Sequence, residues 1–316
     1  MLDPEFLYFS LSKRHRYFFL QFNSAASYKE NDCDNAVSPL YVWAPGAEDL
    51  VLPDNVGIAL GNAGFNTFKL EVHYDNPNGI AGMVDNSGVR LLYTPTFRQY
   101  NVGIFMVGDP MVTLVGQSVG EGWRQWDFSC PGTCAEQYLG DNNITVFTEY
   151  LHMHQTGRRM VASQVRNGEI IREGYVDYYD FQMAGAYGVK QQPYVVKSGD
   201  SFEVKCYFNV DKDKDTKFGF GSRDEMCMSF HWYYPEIQSF HGFCGANVDF
   251  DPACSGDFEG QTLASEEDVG RIFGSELDRC VDRTKSAAVA SSSITLNRSS
   301  TSFVGLFVSV VVIAFF

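Results

Sequence analysis

The chain consists of short runs of β-forming residues separated by turn-forming residues. The clearest runs are FKLEVHY, RLLYTPTF, NITVFTEYL and FEVKCYFNV, and no long segment before residue 260 has the apolar periodicity of a helix. Such runs between turn signals are typical of antiparallel sheets. The sequence therefore predicts an all-β fold, a sandwich or a jelly roll.

The charge balance is acidic, with 39 Asp and Glu against 24 Lys and Arg in 316 residues. The chain contains no Lys/Arg-rich run, so the sequence argues against a nucleic-acid partner. An acidic protein would suit an amine substrate, although net charge reports mainly on solubility. The length allows one large domain or two medium ones.

Eight cysteines, an even number, indicate disulfides and an oxidising compartment. The CPGTC stretch offers zinc as an alternative, but no second close pair accompanies it, so disulfides are favoured. Glycosylation sequons at Asn143 and Asn297 fit a glycoprotein of the secretory pathway or cell surface.

The two ends of the chain differ in their targeting signals. Residues 303–316 are an apolar run, shorter than the roughly 20 residues of a spanning helix. The small residues at 291–293, a polar spacer and this hydrophobic tail match a GPI-attachment signal, which we favour over a short tail anchor. Either would attach the protein to a membrane. The N-terminus shows no clean signal peptide, which suggests that the true N-terminus is missing.

A third of the six histidines lie in one tripeptide, at His152 and His154. In a strand, residues two apart point to the same face, so both imidazoles could bind one metal ion while Met153 packs on the other side. Taken alone, a structural histidine pair is the default interpretation. A second apolar stretch contains Met226 beside Cys227. Two imidazoles and a thioether form a soft ligand set that suits copper, especially Cu(I).

Cys206 lies 21 residues before Cys227, and the polar turn DKDKDTK separates their two β-rich runs. This arrangement predicts a hairpin that a Cys206–Cys227 disulfide would fix. His231 is five residues after Met226, and this odd spacing predicts a packed or surface histidine rather than a ligand.

The segments LHMHQTGRR, CYFNV…GFGSRDEMC and HWYYP, in this order, resemble the ascorbate-dependent copper monooxygenases. Upstream, FKLEVHYDNP and SGVRLLYTPTFRQYNVGIF are also similar to that family, so the resemblance covers about Cys33 to Cys244. It implies two jelly-roll-like antiparallel β-sandwich domains, the first incomplete. The expected divisions are a partial N-terminal domain at 1–108, a C-terminal domain at 109–258, a short helix and disordered stalk at 259–302, and the hydrophobic tail at 303–316.

The resemblance also implies a ligand set and a reaction. His152, His154 and Met226 would hold the copper that activates oxygen, and His73 would be a ligand of the second, electron-transferring copper. The reaction is hydroxylation of an activated C–H bond of a small molecule with O2, with ascorbate as electron donor. The implied disulfides are Cys206–Cys227 and Cys130–Cys244, with Cys134 bonded to Cys254 or Cys280.

Two departures from the family pattern concern the N-terminal part. The family's electron-transfer copper needs an adjacent histidine pair upstream of Cys33, where this chain has only His15, and an upstream partner for Cys33 is also absent. A truncated sequence is the first explanation, and a degenerate, inactive paralogue is the second. As written, the chain would bind one copper and turn over poorly, since His73 alone cannot hold a redox copper well.

The substrate branch depends on three positions near the ligands. The peptide-amidating branch holds a substrate carboxylate at the positions occupied here by Tyr150, Met228 and Phe230, and none of these can replace the arginine of that branch. The sequence therefore favours a dopamine β-monooxygenase-like enzyme over a peptide-amidating one. The alternative is a non-catalytic copper-binding or adhesive surface module that has lost the electron-transfer site.

Overall fold

The structure is a computed structural model. It describes residues 16–23, 38–43, 47, 49–60, 67–74, 79–82, 84, 91–183, 188–189, 193–265 and 268–269. Within these residues the chain forms mainly strands, as the sequence predicts for an all-β protein. Cys33, His15, Cys280 and Asn297 lie outside the described residues.

Five strands of the described residues belong to the N-terminal part. They are β1 (Arg16–Asn23), β2 (Ser38–Trp43), β3 (Val56–Gly57), β4 (Thr67–Tyr74) and β5 (Tyr100–Asn101). β1 is the central strand of an antiparallel sheet with the order β2-β1-β4. β3 and β5 form a separate parallel pair. The apolar stretch RYFFLQFN near the start of the sequence is therefore the middle strand of a sheet.

The C-terminal part consists of two larger sheets and the helix α1 (Gly132–Leu139). Its strands are β6 (Gly103–Gly108), β7 (Gly122–Cys130), β8 (Ile144–Met153), β9 (Gly157–Arg166), β10 (Glu169–Val176), β11 (Gly188–Val189), β12 (Tyr194–Val196), β13 (Ser201–Val210), β14 (Cys227–Tyr234), β15 (Phe243–Ala246), β16 (Ser255–Gly256) and β17 (Phe258–Leu263). One sheet has five strands in the order β10-β9-β13-β7-β17 and is antiparallel throughout. The other has seven strands in the order β11-β8-β14-β6-β15-β16, with β12 also paired to β8.

The two sheets pack face to face around an aromatic core. Phe105 on β6 lies 5.3 Å from Phe202 on β13, measured between ring centroids, so rings from opposite sheets are in contact. Trp126 and Phe208, both on the five-stranded sheet, are fully buried. This is the arrangement of an antiparallel β-sandwich, in which alternate residues of each strand face the space between the sheets.

The chain crosses between sheets where the sequence predicts a hairpin. β13 belongs to the five-stranded sheet and β14 to the seven-stranded sheet, so the two strands are not hydrogen-bonded neighbours. The predicted hairpin is therefore wrong, because a polar turn between two β-rich runs does not show whether the second run stays in the same sheet. The Cys206–Cys227 disulfide is formed and joins the two sheets.

Three disulfides are present in the described part of the chain. Cys130–Cys244 and Cys206–Cys227 match the pairings that the resemblance implies. The third, Cys134–Cys254, decides between the two partners considered for Cys134. The sulfurs of Cys130, Cys134 and Cys244 lie within 4.8 Å of one another, but all three are oxidised and cannot act as thiolate ligands of zinc.

The chain divides into a compact unit, Met1–Ser265, and a second unit, Glu266–Phe316. In the second unit only residues 268–269 are described, and they are helical. Most of the expected stalk and all of the hydrophobic tail lie outside the described residues. Within the described chain, no helix has the length and apolar character needed to cross a bilayer.

Candidate metal centre

The two histidines lie at the end of β8, where the chain leaves the seven-stranded sheet. His152 is the second-last residue of β8, and His154 follows its last residue. Their ring centroids are 5.1 Å apart, with the rings nearly perpendicular, and only 1% of His152 and 5% of His154 is exposed. The alternation of the strand thus brings both imidazoles to one buried point.

A tight turn connects the histidines to the other sheet. The N–H of Gly157 donates to the carbonyl of His154 at 3.2 Å, and β9 starts at Gly157 in the five-stranded sheet. A side chain at position 157 would bring its Cβ within 2.7 Å of the Cβ of Met153, so the turn requires glycine. The sequence HMHQTG therefore places the histidines where the chain passes from one sheet to the other.

The hydroxyl of Tyr179 holds the backbone between the two histidines. It accepts a hydrogen bond from the N–H of Met153 at 3.0 Å and donates to the carbonyl of the same residue. Tyr179 is buried. One side chain thus satisfies both polar backbone groups of the residue that separates His152 from His154.

Met226 comes to this point from the neighbouring strand. Cys227, the first residue of β14, is paired with Met153, so the antiparallel register brings Met226 level with His154. The ring Nδ1 of His154 lies 3.0 Å from the carbonyl oxygen of Asp224, two residues before Met226. Met226 is buried, with 6% of its surface exposed. The structure therefore brings together the two strand ends that carry the three predicted ligands.

The hydrogen bonds of the imidazoles suit a metal site. The carbonyl of Asp224 can only accept, so Nδ1 of His154 carries a proton and Nε2 is the ring nitrogen that can bind a metal. Nδ1 of His152 lies 3.4 Å from the hydroxyl of Tyr150. Burial, together with the nearby His154, lowers the pKa of His152 well below its ordinary value, and the neutral imidazole is the form that binds metals. Two imidazoles and a thioether fit Cu(I).

Glu225 is a buried residue at this centre that the sequence analysis did not single out. Its carboxylate accepts hydrogen bonds from the N–H of His154 at 2.9 Å and from the hydroxyl of Thr156 at 2.8 Å. Burial raises the pKa of Glu225 to about 7, although hydrogen bonds from Thr156, His154 and Met226 oppose the shift. The available signal was its place beside Met226 in the DEMC segment.

The three positions that distinguish the substrate branches lie on the same face as His152. Met228 is paired with His152 and Phe230 with Tyr150 in the register of β8 and β14. The ring of Phe230 is 5.9 Å from that of Tyr150 and 6.4 Å from that of His152. The side chains at these three positions are thus aromatic or thioether groups without charge.

His231 lies on the opposite face of β14, in the space between the sheets. Its ring stacks on Phe105 at 4.4 Å, and its nitrogens lie 2.9 Å from the hydroxyls of Ser229 and Tyr194. It is fully buried. The prediction of a packed histidine rather than a ligand is therefore supported by its contacts.

A buried ion pair lies on the same inner face. Arg172 on β10 pairs with Glu149 on β8, and its guanidinium lies 3.9 Å above the ring of Tyr194. Burial raises the pKa of Glu149, and the positive charge of Arg172 opposes that shift. This pair connects β10, the edge strand of the five-stranded sheet, to β8 of the seven-stranded sheet.

His73, the predicted remnant ligand of the second copper, lies in β4. Its backbone is paired with Tyr17 of β1. The six histidines of the chain include no adjacent pair. The assignment of His73 to an electron-transferring copper remains a prediction.

These features define a β-sandwich protein with a candidate soft metal centre where two of its strands end. Comparison with known families gives two matches. Residues 100–251 match the copper type II ascorbate-dependent monooxygenase C-terminal domain, and residues 20–81 match the N-terminal domain of the same family.

Individual relatives agree with the domain matches. The chain is 33% identical to chicken (Gallus gallus) DBH-like monooxygenase protein 1 over 63% of this chain and 33% of the relative. It is 32% identical to dog (Canis lupus familiaris) dopamine beta-hydroxylase over 72% of this chain and 38% of the relative. It is also 32% identical to MOXD1 homolog 1 of Drosophila melanogaster over 66% of this chain and 30% of the relative.

The chain therefore belongs to the copper type II ascorbate-dependent monooxygenase family, whose members use copper and ascorbate. It spans about a third of the length of the curated relatives that it matches.

Proposed function

We propose that this chain forms the oxygen-activating part of a copper- and ascorbate-dependent monooxygenase, with His152, His154 and Met226 as the copper ligands. The observation that carries the proposal is the convergence of two strand ends on one buried point. The two imidazoles are 5.1 Å apart, and the segment that leads into Met226 is hydrogen-bonded to one of them at 3.0 Å. When bound, copper supplies the one-electron chemistry that couples ascorbate oxidation to the hydroxylation of a C–H bond by O2.

Neighbouring residues of the protein hold the proposed copper ligands in a fixed orientation. The carbonyl of Asp224 fixes the tautomer of His154, and Tyr179 holds the backbone between the two histidines. The Cys206–Cys227 disulfide fixes the residue next to Met226 against the opposite sheet. Groups that orient the ligands of a metal raise its affinity because the site needs little rearrangement on binding.

The substrate side of the proposal rests on uncharged side chains. Tyr150, Met228 and Phe230 lie on the face of His152 and cannot pair with a carboxylate as an arginine would. This favours a dopamine beta-hydroxylase-like reaction on a small molecule over peptide amidation. The net charge of −15 would favour the approach of a cationic amine.

The domain division and the location of the protein are part of the proposal. Strand pairing supports a C-terminal sandwich wider than the expected 109–258, because β6 (Gly103–Gly108) pairs with β14 and β17 (Phe258–Leu263) pairs with β7. Three disulfides support an oxidising compartment, and Asn143 is exposed just before β8, where it could carry a glycan. Attachment to a membrane through residues 303–316 is proposed from the sequence alone.

A second candidate is a copper-binding surface module without catalytic activity. It is favoured by one observation, the lack of an adjacent histidine pair among the six histidines of the chain. Such a module would bind copper at His152, His154 and Met226 and would not pass electrons through it.

Copper stoichiometry and oxygen uptake distinguish the two candidates. We expect the full chain to bind one Cu(I), and His154→Ala to lose it, while His241→Ala, outside the centre, serves as the matched control. Ascorbate-dependent oxygen uptake with phenethylamines, even at a low rate, supports the enzyme if it is lost in His154→Ala, and copper binding without any such uptake supports the module. A protein that binds no Cu(I) contradicts both.

A further inference from the structure

The carboxylate of Glu225 joins the two strand ends of the proposed copper centre. One oxygen accepts a hydrogen bond from the backbone N–H of His154 at 2.9 Å. The other accepts from the backbone N–H of Thr156 at 2.5 Å and from its hydroxyl at 2.8 Å. The residue has no exposed surface. A buried carboxylate that accepts three hydrogen bonds restrains every group that donates to it.

The backbone of Glu225 is held as well. Its N–H donates to the carbonyl of Lys217 at 2.8 Å, and its carbonyl accepts from the N–H of Gly219 at 3.1 Å. The main chain next to Met226 is therefore fixed to the loop before it, while the side chain reaches across to the turn that carries His154. Two independent sets of hydrogen bonds thus meet at one residue.

We propose that Glu225 is a positioning residue that sets Met226 against the imidazole of His154. The proposal rests on the proposed function, because it assumes that these residues hold copper. The side chain of Glu225 acts on the histidine turn and its backbone leads directly into the methionine, so it fixes the distance between the nitrogen and sulfur ligands.

Glutamine cannot replace this carboxylate. A glutamine amide has one oxygen, which can accept, and one NH2 group, which can only donate. The backbone N–H groups of His154 and Thr156 face different oxygens of Glu225. In Glu225→Gln one of these N–H groups would face another donor, so the turn has to shift although the volume of the side chain is unchanged.

A double-mutant cycle on Cu(I) affinity tests the proposal. The variants are Glu225→Gln, Met226→Leu and the double variant, measured on the full chain by competition with a chromophoric Cu(I) chelator. We expect Glu225→Gln alone to weaken Cu(I) binding about 10- to 100-fold, the usual cost of losing a group that orients a ligand. Glu169→Gln makes the same chemical change at an exposed position of β10 and serves as the control.

The interaction between the two changes is the decisive result. If Glu225 acts by placing Met226, the double variant binds Cu(I) about as weakly as Met226→Leu, because the sulfur is already lost. If Glu225 only supports the fold, the two losses multiply. Multiplying losses, or an unchanged affinity in Glu225→Gln, overturns the proposal.

The proposed function and this inference fail differently. A wild-type chain that ignores Cu(I) contradicts the copper centre itself. A chain that binds Cu(I) through Met226 but is indifferent to Glu225→Gln contradicts only the inference. If Glu225→Gln does not fold, amide hydrogen exchange of the wild type decides. Slow exchange at His154 and Thr156 supports the restraint, and exchange at the rate of an open loop contradicts it.

Discussion

Removal of the Cys206–Cys227 disulfide should separate copper binding from stability. Cys227 is the neighbour of Met226, and its disulfide anchors the start of β14 to β13 in the other sheet. The double alanine variant of this pair should therefore release the methionine while leaving the rest of the sandwich closed by the other two disulfides. Alanine is the suitable replacement because a single remaining thiol would itself bind Cu(I).

The expected loss of stability follows from the length of chain that each disulfide closes. The sequence separations are 21 residues for Cys206–Cys227, 114 for Cys130–Cys244 and 120 for Cys134–Cys254. In the chain-entropy account the shortest loop contributes about 3 kcal/mol and each of the longer loops about 5 kcal/mol. The Cys206–Cys227 variant should thus be the most stable of the three double alanine variants.

Copper affinity should follow the opposite order. Loss of the Cys206–Cys227 disulfide should weaken Cu(I) binding by about tenfold or more, as for other groups that orient a ligand. Loss of Cys130–Cys244, which joins β7 to β15, should leave Cu(I) affinity close to that of the wild type. Denaturant unfolding, monitored by tryptophan fluorescence, measures the free energy of unfolding, and competition with a Cu(I) chelator measures the copper affinity. Equal copper affinities for the two variants would refute the reasoning.

Three further variants test buried interactions of the sandwich. His231→Ala should lower the free energy of unfolding by about 3 kcal/mol, because a buried ring is lost, without weakening Cu(I) binding; a loss of copper affinity would contradict its assignment to the core. Gly157→Ala should cost about 1–3 kcal/mol in thermal unfolding, since its Cβ would lie 2.7 Å from that of Met153; an unchanged melting temperature would show that the turn can adapt. Burial alone would raise the pKa of Asp200, but hydrogen bonds, led by the one from Arg166, outweigh burial and lower this pKa. The ionised Asp200 therefore stabilises the fold above the ordinary carboxyl pKa of about 4, and this stabilisation is lost as the pH falls through the lowered pKa. Asp200→Asn should therefore have a lower free energy of unfolding than the wild type at neutral pH, and this free energy should fall less on acidification. An equally steep fall with decreasing pH in both proteins would contradict this.

The fold class and the position of the two histidines follow from local patterns. Alternation along a strand depends only on neighbouring residues, so His152 and His154 were correctly expected to share a face. The pairs Cys206–Cys227 and Cys130–Cys244 were expected through the resemblance to the family, and both are formed.

Features that depend on distant parts of the chain were not predicted. The crossing of β13 and β14 between sheets could not be inferred from the polar turn that connects them. Glu225 and Tyr179 were missed because their importance comes from hydrogen bonds to backbone groups 26 to 71 residues away in sequence. A carboxylate or a phenol in the sequence does not show which backbone group it will meet.

X-ray absorption at the copper edge of the Cu(I)-loaded chain tests the central claim most directly. We expect one copper per chain, surrounded by two imidazole nitrogens and one sulfur, and we expect the sulfur contribution to disappear in Met226→Leu. A spectrum without sulfur, or a sulfur contribution that persists in that variant, would show that Met226 does not bind the metal together with His152 and His154.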